Sequence, residues 1–307
     1  MTASRTDSYY RATAIGQRAR PQLEGRNEAD VCVIGAGYTG LSCALHLANA
    51  GLKVIVLEAE SAGFGASGRN GGQVITGQRV DQIELEKRYG ESHARSLWDL
   101  ALEARTLVRA LIASNTIDCD VKPGHLTAAV RESHARELAD YVEHLAKRYS
   151  YSTAKYVPAT EIESIVACRN YKGGMFDEGS FHLHPLNYAL GLARAVDGAG
   201  VTIFENSAVL SVENHATVTC RTARGAVSAK FAVYGCNAYL GDLSAELART
   251  IMPISNYIAA TEPLGEARAK ALIPSDAAIA DRSSGVSGAE AAASAGCSLA
   301  DTSCAAP

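Results

Sequence analysis

The chain has 307 residues, of which 47% are hydrophobic and 20% charged, and its formal net charge is −4. This length suits two domains with a substantial core, while an acidic balance without a basic stripe argues against a nucleic-acid partner. No apolar run is long enough to span a bilayer and the N-terminus has no apolar signal core, so we expect a cytoplasmic protein.

The first motif along the chain is a glycine triplet that follows a short strand. Residues 1–28 are polar and lack clear periodicity, so we predict an N-terminal arm on the surface. The apolar run Val31–Ile34 is too short for a helix and ends in glycine, which predicts a buried parallel strand. Gly35, Gly37 and Gly40 follow at G-x-G-x-x-G spacing.

The residues after the triplet complete a βαβ pattern. A predicted helix ends near Gly51, and a second apolar run, residues 54–57, ends in the acidic Glu58. In a dinucleotide site such glycines permit a tight turn, close approach of a pyrophosphate and close helix packing, and an acid about 20 residues on binds ribose hydroxyls. The helix start also attracts phosphates. An empty βαβ unit is the alternative. The predicted contacts are Gly35, Ala36, Gly37, Tyr38, Thr39, Gly40, Glu58 and Ala59.

A second glycine-rich segment, residues 62–73, indicates which dinucleotide is bound. It contains five glycines and begins just after Glu58. A nicotinamide site has no obvious need for it, whereas the ribityl chain and ring of a flavin continue past the pyrophosphate and need close backbone approach. We therefore predict FAD, with a flexible surface loop as the alternative. The hydroxyl, guanidinium, amide and backbone groups suited to this role are those of Ser67, Arg69, Asn70, Gly71, Gly72 and Gln73.

The middle of the chain alternates between helical and strand patterns. We predict helices over 81–114, 131–147 and 185–197, a strand pair broken at Pro123-Gly124 within 121–130, and a strand pair turning at Asp177-Glu178-Gly179 within 171–184. Further strands are predicted over 201–204, 207–212, 217–222 and 231–236, the last a parallel strand followed by Asn237 at the ligand crevice, and over 251–261 in a second sheet.

This order of elements predicts an α/β protein in which a Rossmann-like FAD-binding domain is interleaved with an α+β substrate domain built on a mixed sheet. The predicted FAD-binding domain comprises residues 29–115 and 185–245, and the substrate domain comprises 116–184 and 246–281. None of the eight cysteines forms a C-x-x-C pair, so they are interpreted as reduced structural thiols, and no metal site is predicted.

Four stretches together resemble one known family. They are D-S-Y-Y at Asp7–Tyr10, A-D-V-C-V-I-G-A-G-Y-T-G-L-S at Ala29–Ser42, G-A-S-G-R-N-G-G-Q at Gly65–Gln73 and C-N-A-Y-L at Cys236–Leu240. In them the chain resembles the D-amino-acid-oxidase-like FAD-dependent oxidoreductases, and within these the gamma-glutamylputrescine oxidase group. The resemblance extends from about residue 5 to about residue 281.

The resemblance implies an enzyme that oxidises the C–N bond of a small amine, with hydride transfer to FAD, hydrolysis of the resulting imine and release of hydrogen peroxide from molecular oxygen. It implies that Gly35, Gly37 and Gly40 surround the pyrophosphate and that Glu58 binds the adenosine ribose. It also implies that Val209 holds the adenine through its backbone, an ordinary strand valine being the alternative.

No catalytic residue is assigned by this reasoning, because flavin chemistry requires no triad. His182 and His184 are the weak candidates, since either can tune the protonation of the amine, although a structural role is the alternative for both. The alternative functions are an FAD dehydrogenase with another electron acceptor and a catalytically defective relative.

From residue 282 onward the resemblance stops, and alanine, serine and glycine dominate. The resemblance implies a family that continues with a C-terminal segment, and we expect that segment to be missing from this chain. We therefore expect residues 282–307 to be a disordered tail and the chain to be a truncated or frame-shifted product.

Overall fold

The computed structural model describes residues 8–254 and 257–282. The helices of these residues are α1 (Tyr9–Ala12), α2 (Tyr38–Asn49), α3 (Gln82–Tyr89), α4 (Glu91–Ser114), α5 (Glu132–Tyr149), α6 (Pro185–Gly198), α7 (Ala245–Ala248) and α8 (Glu266–Leu272). The strands are β1 (Gly25–Ile34), β2 (Val54–Leu57), β3 (Gln73–Val74), β4 (Lys122–Ala129), β5 (Ala154–Pro158), β6 (Gly173–His182), β7 (Thr202–Phe204), β8 (Ser211–Asn214), β9 (Val218–Arg221), β10 (Gly225–Tyr234) and β11 (Ala278–Arg282).

These residues form two compact units, and both are discontinuous in sequence. The first unit consists of residues 8–70, 111–119 and 184–254, and the second of 71–110, 120–183 and 257–282. The predicted FAD-binding domain includes residues 71–110, which the structure groups with the second unit. The predicted tail beyond residue 282 and the start of the predicted arm, residues 1–7, lie outside the described residues.

The first unit is built on a six-stranded sheet in the order β7-β2-β1-β10-β9-β8. β7, β2, β1 and β10 are parallel to one another, while β9 and β8 continue the sheet in antiparallel fashion. Ile34 and Leu57 are buried, and with Cys32, Cys220 and Val227 they belong to the core of this unit. The predicted α/β class and the βαβ unit are therefore confirmed.

The second unit is built on a five-stranded sheet of mixed orientation. β4 lies between β11, to which it is parallel, and β6, to which it is antiparallel. The other edge of β6 pairs with β5 and β3. Buried Leu126 and Ile162 belong to one core cluster and Trp98 to another.

Two predicted strand pairs are wrong, because each is a single strand. Residues 121–130 contain β4 alone, and Pro123-Gly124 marks a bulge at which the register against β6 shifts. Residues 171–184 contain β6 alone, and no turn forms at Asp177. The carboxylate of Asp177 is buried and accepts hydrogen bonds from Tyr151 and Thr153, so an acidic residue typical of turns is satisfied inside an extended strand.

The remaining differences concern element boundaries. The predicted helix over 81–114 is two helices, separated at Gly90 with φ +80°. β1 begins at Gly25, inside the predicted arm, and the predicted strand over 207–212 begins only at Ser211. In the described parts of 251–261 no strand forms. The sequence reasoning missed β3, β5 and β11.

Candidate cofactor-binding site

The glycine triplet lies in the turn between β1 and α2. Gly35 has φ +102°, and a Cβ added there would lie 2.8 Å from the carbonyl oxygen of Gly235. A Cβ added at Gly40 would lie 1.9 Å from the carbonyl oxygen of Gly35. Both positions therefore require glycine, the first for the turn and the second for the close packing of α2 on it.

The start of α2 presents backbone donors. Gly37 is the N-cap and provides no side-chain cap. The N–H of Tyr38 donates to Ser67 Oγ at 3.0 Å, whereas the N–H groups of Gly37 and Thr39 have no acceptor within the described residues. Free N–H groups and the positive end of the helix dipole favour an anion at this position.

Glu58 follows β2 directly and faces the glycine turn. Its Oε2 accepts the N–H of Ala36 at 2.7 Å and its Oε1 accepts the N–H of Glu60 at 3.0 Å. Burial raises the pKa of Glu58, and these two hydrogen bonds oppose the rise. Since each carboxylate oxygen has more than one lone pair, Glu58 retains acceptor capacity for ligand hydroxyls.

The segment after Ala59 folds back on itself in the first unit. Ser67 Oγ reaches the start of α2, as described above. Asn70 Nδ2 donates to the carbonyl oxygens of Ala66 and Ser67, each at 3.0 Å. Arg69 Nε donates to the carbonyl oxygen of Phe64 at 2.8 Å, and its guanidinium lies 4.5 Å from the centre of the Phe64 ring. Ser67 is thus brought to the glycine turn, whereas Arg69 is fixed on its own segment.

The last three residues of the glycine-rich segment belong to the second unit. Gly72 has φ +68°, and a Cβ added there would lie 1.9 Å from the carbonyl oxygen of Leu183. The N–H of Leu183 donates to the carbonyl oxygen of Gly72 at 3.0 Å. Gln73 begins β3 and pairs with His182, while a Cβ at Gly71 would meet no atom within 4 Å.

Two of the other predicted cofactor residues lie in the first unit outside its strands, Val209 in a loop and Asn237 at the start of a short 3-10 helix, Asn237–Tyr239. Val209 precedes β8 and is partly buried against the core, and Asn237 follows β10 with φ +48°. Ala59 is exposed beside Glu58. Their contacts with a cofactor stay predictions.

The two candidate histidines have different surroundings. His184 is buried and is the N-cap of α6, where its Nδ1 accepts the N–H of Asn187 at 3.1 Å. Its Nε2 therefore carries the proton and donates to Thr13 Oγ1 at 2.9 Å. His182 is more accessible, and its Nε2 lies 2.9 Å from the carbonyl oxygen of Asp276. His184 thus has a structural task, and a catalytic role for either residue stays a prediction.

The sequence reasoning missed two residues that border the glycine turn. Gly235 ends the run after β10, and its N–H donates to the carbonyl oxygen of Ile34 at 2.8 Å. Burial, together with the charge of Glu58, raises the pKa of the neighbouring Cys236 to about 11, so its thiol is neutral at pH 7. The signal for both was a glycine at the end of the apolar run over 231–236.

Across residues 8–254 and 257–282, no three side chains of His, Cys, Asp or Glu cluster as a metal site would require. None of the helices described is both long and apolar enough to cross a bilayer.

Comparisons with known proteins identify relatives of this chain. The family model described as FAD dependent oxidoreductase (DAO) matches residues 30–288. The chain is 40% identical over 277 residues to the gamma-glutamylputrescine oxidoreductase of Escherichia coli (strain K12), which covers 90% of this chain and 65% of that relative. It is also 40% identical over 279 residues to the probable oxidoreductase OrdL of Haemophilus influenzae, covering 89% of this chain and 65% of that relative. The chain thus spans about two thirds of the length of these curated relatives.

Among solved structures, glycine oxidase from Geobacillus kaustophilus is similar with a TM-score of 0.64 and 19% identity, over 84% of this chain and 67% of that one. At this identity the similarity shows the fold alone.

Proposed function

We propose a function for this chain from the family to which it belongs, the FAD dependent oxidoreductases (DAO). FAD is the cofactor of that family, as the two glycine-rich segments predict. We propose that the chain oxidises the C–N bond of a small, gamma-glutamylputrescine-like amine to an imine, which water hydrolyses to an aldehyde and an amine or ammonia. In this proposal molecular oxygen takes up the two electrons and two protons and leaves as hydrogen peroxide, and the protein is cytoplasmic.

The residues of the first unit fit the dinucleotide part of FAD. The α2 start supplies the N–H groups of Gly37 and Thr39, which are unpaired among the residues that the structure describes, to a pyrophosphate. Glu58, already held by the N–H of Ala36, accepts ribose hydroxyls. Ser67 stands at the same helix start, and Val209 and Asn237 would complete the adenine side and the crevice.

When bound, FAD supplies the acceptor for the hydride of the carbon that bears the amine. The chain itself has to bind FAD and the amine, orient them towards each other and set the protonation state of the amine. The amine must be neutral when the hydride leaves, because an ammonium has no lone pair to assist. Neutral side chains near the amine therefore favour the reaction more than carboxylates do, since carboxylates stabilise the ammonium form.

The observation that carries this proposal is the 40% identity to a gamma-glutamylputrescine oxidoreductase across 90% of this chain. It is tested by the visible spectrum of the purified chain, recorded anaerobically before and after addition of gamma-glutamylputrescine. We expect a yellow protein that bleaches on addition of the amine. A yellow protein whose spectrum does not change when the amine is added contradicts the substrate class. A colourless protein that stays apo with added FAD favours the catalytically defective alternative.

Peroxide yield in air separates the oxidase from the dehydrogenase. An oxidase forms one hydrogen peroxide per amine consumed, whereas a dehydrogenase turns over only with an artificial acceptor such as a quinone. A yield well below one hydrogen peroxide per amine consumed would contradict the oxidase and favour the dehydrogenase of the same fold.

A further inference from the structure

A cavity of about 240 Å3 lies in the first unit, between the N-terminal residues and the segment that follows Ala59. Its polar wall includes Arg11, Gln17, Arg18, Ser61 and Arg69, and its apolar wall includes Leu186 and Leu190. The volume is below the roughly 300–1,000 Å3 of pockets for drug-sized ligands. It therefore suits a smaller molecule.

The charge of this cavity is positive although the chain is acidic. Glu205 also lines it, but its Oε1 accepts hydrogen bonds from the N–H of Ala62 at 3.0 Å and from Arg20 Nη1 at 3.1 Å. Arg20 is buried and also donates to Asp197 at 2.8 Å. The cavity wall thus carries three arginines, Arg11, Arg18 and Arg69, and one carboxylate, that of Glu205, to which Arg20 is already bound.

Each arginine on the cavity wall keeps guanidinium N–H groups that can donate to a ligand. Within the described residues the guanidinium of Arg11 has no carboxylate partner. Arg18 is 70% exposed and has only a 3.9 Å contact with Asp197. Arg69 is fixed by Phe64, which leaves its terminal nitrogens available. A guanidinium presents a planar fork that matches a carboxylate or a phosphate.

The cavity does not include the candidate FAD contacts at the glycine turn, although Arg69, which lines it, was also predicted to contact FAD. Neither the glycine triplet nor Glu58 belongs to its wall, as far as the described residues show. The two places share the segment over 61–69, since Ser67 reaches the α2 start while Arg69 lines the cavity.

We propose that this cavity binds a small organic dianion, through Arg11, Arg18 and Arg69, with its carbon chain against Leu186 and Leu190. The two negative charges are those of two carboxylates or of one phosphate group. Because the ligand holds the segment that carries Ser67, its binding changes the affinity for FAD, and FAD changes the affinity for the dianion by the same factor. The coupling rests on the proposed function, whereas the binding does not.

Isothermal titration calorimetry of the full chain without FAD tests the binding. Glutarate and inorganic phosphate are the probes, and sodium chloride at equal ionic strength is the control for screening. We expect saturable binding at one site for at least one probe, and the probe that binds identifies the carboxylate or the phosphate chemistry. Arg11→Gln weakens it about ten-fold or more, because a hydrogen bond to a charged group is lost.

Two further variants make the result decisive. Arg18→Gln changes an exposed side chain, so it keeps the fold and still weakens binding. Arg249→Gln removes an exposed arginine away from the cavity wall and leaves the affinity unchanged. Absence of saturable binding, or equal affinities in all variants, overturns the proposal.

FAD titrations at increasing probe concentration test the coupling. We expect the apparent FAD dissociation constant to change and then to level off once the cavity is full. A constant that rises without limit means direct competition, which would make the cavity part of the FAD site and overturn the proposal. A constant that does not change overturns the coupling alone, and failure of FAD to bind at all contradicts the proposed function and leaves the calorimetric result standing.

Discussion

Glu58 combines a structural and a proposed binding task in one carboxylate. Its oxygens hold the glycine turn through Ala36 and accept the N–H of Glu60. Burial raises its pKa above the ordinary value of 4.5. In the chain without ligand, the contribution of Glu58 to the free energy of unfolding is fully present at pH values below the ordinary pKa. It is lost as the pH rises through the raised pKa. The proposed binding of ribose hydroxyls by the Glu58 carboxylate would depend on pH in the opposite direction.

We predict that Glu58→Gln weakens FAD binding about ten-fold, since an amide offers one acceptor oxygen in place of two. In the unchanged chain the FAD affinity falls as pH drops through the raised pKa, and in Glu58→Gln this step is missing. Fluorescence titration with FAD across pH measures both. Glu28→Gln, at an exposed position of β1, is the control. A pH step that persists in Glu58→Gln would assign the step to another group.

His125 supplies a second titration, in the second unit. It is only 4% exposed, lies opposite Asp177 in the sheet, and its Nε2 has no hydrogen-bond partner in the part of the chain that the structure describes. Burial lowers its pKa from 6.5 to about 4, with the nearby His182 adding to this and Asp177 opposing it.

We predict that the free energy of unfolding falls as pH decreases from about 6.5 to about 4, because the buried ring stays neutral while the unfolded chain takes up a proton. The stability from His125 is thus present above the ordinary pKa and lost as pH falls through the lowered one, to the extent of about 3 kcal/mol at most. Urea denaturation at several pH values measures it. His125→Asn reduces the slope in this window, and an unchanged slope would exclude His125 as its source.

At the scale of elements, the packing of α2 on the β1 turn depends on the absence of one methyl group. A Cβ at Gly40 would lie 1.9 Å from a backbone oxygen, which no side-chain rotation can relieve. We predict that Gly40→Ala destabilises the chain by roughly 1–3 kcal/mol and weakens FAD binding, because the α2 start shifts.

The matched control is Gly198→Ala, at the end of α6. A Cβ there meets no atom within 4 Å and the backbone needs no positive φ. We expect it to be neutral or slightly stabilising. Denaturation midpoints and FAD titrations of both variants are the measurements. Equal behaviour of the two would contradict the steric account of the third glycine.

At the scale of the whole molecule, a ligand such as FAD stabilises the folded chain by an amount that grows with the logarithm of its free concentration relative to its dissociation constant. At 100 times the dissociation constant, a ligand that binds only the folded state adds about 2.7 kcal/mol. We predict that FAD raises the melting temperature by roughly 5 °C or more, measured by circular dichroism. Riboflavin, which lacks the pyrophosphate and adenosine, gives a smaller rise. Equal rises for the two would contradict the anchoring role of the α2 start and Glu58.

The sequence by itself determined the βαβ unit, the glycine turn and the family, because each depends on neighbours in the chain. The short run Val31–Ile34, the glycines at fixed spacing and the acid after the next run carry their geometry locally. Hence Gly35 and Gly40 have the steric roles that their spacing predicts.

Only the tertiary structure decided which strands and side chains contact residues that are distant in the sequence. β4 stays a single strand with a bulge at Pro123-Gly124. β6 stays a single strand in which Tyr151 and Thr153 donate hydrogen bonds to Asp177. Local turn signals in the sequence reveal neither feature. The same holds for the cavity lined by Arg11 and Arg69, residues that are far apart in sequence. Hydrogen-bond satisfaction and charge balance are properties of the assembled neighbours, so they appear only when the chain is folded.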